Sequence, residues 1–299
     1  MALRRLIAGG VAALVAMVVA IVVYPQAAAP HSANDATALP LASRISASPK
    51  RNDVDSCVTS FPPAPVEPSQ PWIDTADNTW NADTKLHVEG SVSWPTASYS
   101  VTLDGTDRIV QSNDLPIDHT TGVFPIAATD PAHTYDQNPN TITAQSIDWT
   151  LPADPVAAVH PWCTSGGPIG ILSDGVVLFN ALDGNGRDAP AYEVLDSCDG
   201  HPDISGMYHH HTVPSCILDQ TTGRSTLVGY AIDGYGIYVE RNAKGALLSN
   251  SGLDACHGRT SKVMWNGKET RIYHYDATAA FPYTIGCFHG TPIGEPSGP

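Results

Sequence analysis

The chain has 299 residues, 42% of them apolar, with 25 Gly and 25 Pro; it can bury a full core, but so many helix breakers exclude long helices beyond the N-terminus. Thirty acidic residues against fifteen basic ones give a formal net charge of -15, which argues against nucleic acid as a partner. With no G-x-S-x-G elbow, no phosphate-cradling glycine loop and no dinucleotide fingerprint, serine hydrolase, kinase and dehydrogenase readings lose their support.

Arg4 and Arg5 precede an almost unbroken apolar run at residues 6–24, followed by Pro25 and the small residues Ala27, Ala28 and Ala29. Residues 1–29 therefore read as an export signal, either cleaved as a signal peptide or retained as a hydrophobic helix anchoring the chain to a membrane. Either way the expected location is extracellular or in the cell envelope. Residues 30–71, rich in Ala, Ser and Pro, read as a disordered tether.

Residues 72–299 are expected to form one mainly β domain, with a mixed or antiparallel sheet. Strands are predicted at residues 85–92, 99–103, 108–110 and 141–149, broken by Gly, Asp and Pro. Asn266-Gly267, between residues 263–265 and 270–273, is the strongest short hairpin signal in the chain.

An internal duplication spans about residues 168–216 and 228–287. Asp174-Gly175 precedes Cys198-Asp199-Gly200-His201 and Tyr208-His209-His210-His211 much as Asp233-Gly234 precedes Cys256-His257-Gly258-Arg259 and Tyr273-His274-Tyr275-Asp276. Six cysteines in an exported region point to three disulfides. If equivalent positions pair alike, these are Cys198 with Cys216, Cys256 with Cys287, and the remaining Cys57 with Cys163.

On an extended strand alternate side chains share a face, so His209 and His211 point one way while Tyr208 and His210 point the other; His274 likewise shares a face with Asp276. Packing about a pseudo-dyad is expected to bring His209, His211, His274 and Asp276 onto one divalent ion, with His201 as the next ligand. Imidazoles and a carboxylate without a thiolate favour zinc, with copper, iron or manganese as alternatives. Tyr208, Tyr273 and His257 are the candidates for moving protons in metal-assisted hydrolysis or oxidation. Residues 183–194 fail as an EF-hand, because Asp188 stands where Gly is needed and Val194 where Glu is needed. The six tryptophans read as core before they read as a sugar platform.

These segments resemble the YHYH-motif family, mostly secreted bacterial proteins of unestablished activity. The resemblance runs over about residues 112–290 and includes Asp118-His119, Asn138-Pro139-Asn140, Asp183-Gly184-Asn185-Gly186-Arg187-Asp188 and Phe281-Pro282-Tyr283. It adds His119, beside Asp118, as a further ligand candidate. The first copy departs from the signature at His210 and the second at Asp276.

Three functions follow from this reading. The chain is a metal-dependent hydrolase or oxidase, a non-catalytic metal carrier of the cell envelope, or a wall or glycan interaction module with structural histidines. Its partners are correspondingly a metal ion and a cell-wall or extracellular small molecule.

Overall fold

A computed structural model describes residues 36–64 and 68–294. The apolar run at residues 6–24, and with it the choice between leader and anchor, lies outside them. Among the described residues no helix is long and apolar enough to cross a membrane.

Five two-residue strands come first: β1 (Leu39–Pro40), β2 (Ile45–Ser46), β3 (Val54–Asp55), β4 (Ile73–Asp74) and β5 (Thr79–Trp80). An antiparallel sheet follows, made of β6 (Tyr99–Asp104), β7 (Asp107–Ser112) and β8 (Ile147–Pro152). β9 (Ala157–Trp162) pairs with the last strand of the chain. The first repeat contributes β10 (Pro168–Leu172), β11 (Val177–Phe179), α1 (Ala189–Tyr192), β12 (Gly200–Pro202), β13 (Tyr208–His210) and α2 (Ser215–Leu218). The second contributes β14 (Ser225–Ala231), β15 (Gly236–Glu240), β16 (Gly258–Trp265) and β17 (Lys268–Ala277), before β18 (Phe288–Gly290).

The two repeats build one eight-stranded mixed sheet in the order β12-β13-β11-β10-β14-β15-β17-β16. This order reads the same from both ends once β10 is matched to β14, β11 to β15, β12 to β16 and β13 to β17. The repeats meet where β10 runs antiparallel to β14, with Ile171 opposite Tyr230. Gly170 and Gly229 sit at this junction, and a Cβ on either would press on the facing backbone at Tyr230 or Ile171. Within each repeat an Asp-Gly turn closes the first hairpin, with Gly175 and Gly234 at φ +87° and +89°. The second hairpin of the second repeat turns at Asn266-Gly267 as expected, both residues having positive φ (48° and 77°). Ile169, Leu178, Ile237, Tyr275, Ile285 and Phe288 belong to the main core.

Each histidine strand is held on its far face by carboxylates, of which Asp174, Asp196 and Asp233 are buried and Asp254 is exposed. Asp196 accepts the backbone amides of Cys198, Gly200 and Gly122 and the Tyr208 hydroxyl. Asp254 repeats the arrangement with the amides of Cys256 and Gly258 and the Tyr273 hydroxyl. Two residues along, His210 donates to Asp174 (2.9 Å), and its counterpart Tyr275 donates to Asp233 (2.6 Å). The exchange of Tyr for His in the first copy thus preserves the bond to the turn carboxylate. Because His210 also donates Nδ1–H to the Asp199 carbonyl (3.0 Å), both ring nitrogens carry protons. Burial alone would lower the His210 pKa, but Asp174 carries it above the ordinary value.

The cysteines pair as the duplication implies: Cys57–Cys163, Cys198–Cys216 and Cys256–Cys287. Two expectations are corrected. Residues 36–64 are packed and not a tether: Leu39 and Val54 are buried, Asp188 accepts the Ala42 amide at 3.0 Å, and residues 55–57 exchange backbone hydrogen bonds with Thr164. Composition misled because this segment is anchored by a disulfide and paired backbone instead of by an apolar stripe of its own. The strands predicted at residues 85–92 and 141–149 shrink, the first to single bridges at Val88 and Val92 and the second to β8, which starts at Ile147.

Replacing Asp196 with Ala strands four donors, the turn amides of Cys198 and Gly200, the amide of Gly122 and the Tyr208 hydroxyl, and is expected to cost about 3–5 kcal/mol. Urea unfolding of the variant checks this. A loss below about 1 kcal/mol would show that water satisfies these groups.

Candidate metal centre

Among the described residues, three groupings of side chains could hold a metal: His201, His209 and His211; Glu240, His274 and Asp276; and His119, Cys198 and His210. The convergence of both repeats on one ion does not occur. β13 and β17 are separated in the sheet by β11, β10, β14 and β15. Five spacings of about 4.8 Å put the two histidine strands on the order of 24 Å apart. The duplication is present, but its symmetry element lies between β10 and β14 and carries the histidines outward.

The first grouping forms because β12 runs antiparallel to β13 with His201 opposite His209, while His209 and His211 share a face as expected. His209 donates Nδ1–H to the Met207 carbonyl (3.1 Å), and His211 donates Nδ1–H to the Asn180 carbonyl (2.5 Å). A carbonyl only accepts, so these bonds fix the tautomers and leave each Nε2 facing inward. The two Nε2 atoms stand 3.2 Å apart. Phe179 stacks on His209 with ring centroids 4.0 Å apart and holds the ring in place.

Sequence reasoning missed a fourth member. Glu193, just after α1, brings Oε2 to 3.1 Å from His201 Nε2 and 3.0 Å from His211 Nε2. Neither approach is directed as a hydrogen bond, and Glu193 Oε2 and both His201 ring nitrogens have no hydrogen-bonding partner. Burial alone would raise the Glu193 carboxyl, but His201 and His211 hold it well below the usual carboxylate range. Burial tends to lower the His201 pKa and Glu193 outweighs it, so His201 titrates above its ordinary value. Burial, reinforced by His201 and His211, pushes His209 well below its own. Ligands about 2.0–2.1 Å from a tetrahedral zinc lie roughly 3.3–3.4 Å from one another. The 3.2 Å between the His209 and His211 Nε2 atoms is close to that spacing.

The histidines and Glu193 open into a cleft of about 560 Å³. Ser56, Val58, Phe61 and Pro62 form one wall, and Asn138, Asn140, Asp136 and Asp203 are among the residues of the rest. The packed N-terminal segment therefore supplies part of the site.

The remaining candidates lie elsewhere. His119 is on the other face of β13, with Nδ1 3.0 Å from Asp118 and 3.9 Å from Asp174. The Cys198 sulfur beside it is bonded to Cys216 and offers no thiolate. Tyr208 and Tyr273 are bound to the turn carboxylates and point away from the histidine cleft. His257 is buried with Nε2 3.0 Å from the Thr278 hydroxyl, and it aligns with Asp199, not with His201. Asp183 accepts the amides of Asn185 and Arg187 and the Arg187 side chain, so its carboxylate serves the turn at residues 183–187. Trp72, Trp80 and Trp265 are buried, and the indoles of Trp72 and Trp265 donate to the Ala191 and Ala153 carbonyls. They form no sugar platform.

The model of the family described as YHYH protein matches residues 148–252, and over these residues the chain carries a YHYH domain. The match contains the whole His201–His209–His211 grouping and stops short of β16 and β17. No curated protein and no solved structure matches the chain.

Burial lowers the His257 pKa to about 3, against about 6.5 in an unfolded chain. The unfolded state then binds a proton that the folded state refuses, so this stability is complete above about pH 6.5 and is lost as pH falls toward 3. His257→Asn, which suits the positive φ of 69° at this position, is expected to flatten the slope over that window by up to about 1.4 kcal/mol per pH unit. Parallel urea titrations of wild type and variant at pH 4 and pH 7 measure the difference, and equal slopes would disprove it.

Proposed function

We propose, for a chain whose residues 148–252 are a YHYH domain, that the first repeat binds one divalent metal ion through His201, His209 and His211 and uses it in hydrolysis at the cleft. The observation that carries this reading is the pair of inward Nε2 atoms 3.2 Å apart, each on a ring whose other nitrogen is already donating to a carbonyl. Two such nitrogens repel at that distance unless a proton or a metal ion lies between them. The bonds from the Nδ1 atoms are the outer support that metal-bound imidazoles characteristically have. Three imidazoles suit zinc best, with copper, iron and manganese behind it.

A divalent ion held there would polarise a substrate oxygen and lower the pKa of a water it carries. Glu193 flanks His201 and His211 on one side and, kept ionised, is placed to accept the proton of that water. The cleft contributes Asp136, Asp183 and Asp203 but no lysine or arginine to its lining. Its substrate is accordingly neutral or cationic, such as an amide or ester of an extracellular polymer. Three disulfides fit an extracellular protein, and the apolar run at residues 6–24 supports export.

Elemental analysis of protein produced through its own export route is expected to find one zinc per chain, lost in His209→Ala/His211→Ala. Glu193→Gln is expected to keep the zinc while hydrolysis across a panel of neutral esters and amides falls at least about 100-fold. Wild-type protein without stoichiometric metal overturns the reading. Loss of zinc in Glu193→Gln would instead make Glu193 a ligand and favour the metal carrier.

A further inference from the structure

The sheet register places Arg259 in the second repeat where His201 stands in the first: His201 is opposite His209, and Arg259 is opposite His274. The rest of the setting is retained. His274 donates Nδ1–H to the Ile272 carbonyl (3.1 Å), as His209 does to Met207, and Tyr238 meets its ring edge-on at 5.0 Å where Phe179 stacks on His209. Asp276 takes the position of His211, and Glu240, at the end of β15, supplies the second carboxylate.

Around His274 Nε2 lie Glu240 Oε2 at 3.6 Å and Asp276 Oδ1 at 3.7 Å. His274 and Asp276 are fully buried, and His274 Nε2, both Asp276 oxygens and Glu240 Oε2 lack directed hydrogen bonds. Two adjacent buried carboxylates require a cation. The one in contact with both is the guanidinium of Arg259, its Nε 2.9 Å from Asp276 Oδ2 and its Nη2 against Glu240 Oε2. Its side chain remains one-third exposed (33%), so it enters this site from the solvent side.

We infer that the second repeat is a divalent-cation site whose ion has been replaced by the guanidinium of Arg259, and that removing this side chain uncovers a site made by Glu240, His274 and Asp276. Two of its three donors are carboxylate oxygens, so it prefers a harder ion than the three-histidine site and takes manganese readily. The histidine grouping of the first repeat has one carboxylate, three imidazoles and no arginine against them, and takes its metal ion from outside. The comparison of the repeats rests on the metal reading of the first one, but the site itself can be tested apart from it.

Manganese binding is measured by electron paramagnetic resonance in a His209→Ala/His211→Ala background, where the first site is disabled. Adding Arg259→Ala, or Arg259→Met, which keeps the aliphatic stem, is expected to create one manganese equivalent bound at least tenfold more tightly than in the background protein. Adding His274→Ala to either is expected to abolish it. The inference is overturned if folded Arg259 variants gain no ion, if the gain survives His274→Ala, or if neither variant folds with 10 mM manganese present, since the ion should replace the charge removed. A wild-type chain without zinc would count against the first site alone.

Discussion

Both histidine strands depend on a carboxylate set beneath them, buried at Asp196 and exposed at Asp254. Asp196 and Asp254 each collect backbone amides from a Cys-x-Gly turn and a hydroxyl from the tyrosine that opens the strand. An ionised carboxylate with several donors tolerates burial that would otherwise be prohibitive. The glycine of each turn is obligatory, because a Cβ at Gly200 or Gly258 would run into the Tyr208 or Tyr273 ring. Turn, strand and disulfide thereby become one unit, and the imidazoles on the opposite face inherit its rigidity.

The alternation of Tyr208-His209-His210-His211 predicted correctly which side chains share a face, and the Asn-Gly hairpin and the three disulfides were equally legible. Sheet topology was not. Duplication alone does not say which strands of the repeats touch, and the choice of β10 against β14 separates the very residues that symmetry was expected to unite. Glu193 was invisible because it follows a one-turn helix and belongs to no repeated pattern. Arg259 was in plain view: aligned on their cysteines and glycines, Cys198-Asp199-Gly200-His201 and Cys256-His257-Gly258-Arg259 equate Arg259 with His201. Residues 36–64 were misread because a covalent tie and paired backbone leave little trace in hydrophobic periodicity.

The two repeats hold charge in different ways on the same scaffold. In one, three imidazoles cluster around a single carboxylate below an open cleft; in the other, two carboxylates and one imidazole close on an arginine. Duplication lets one copy retain a demanding arrangement while the other settles into a self-contained ion pair. The YHYH match over residues 148–252 coincides with the first of these.

The Cys57–Cys163 bond closes a loop of 106 residues and fastens the segment bearing Val58, Phe61 and Pro62 across the histidine cleft. A crosslink over so long a loop restricts the unfolded chain by about 4–5 kcal/mol in the chain-entropy account. Reduction of this cystine would leave that wall held by noncovalent contacts such as its backbone bonds to Thr164, so the shape of the cleft is tied to one oxidised pair of sulfurs.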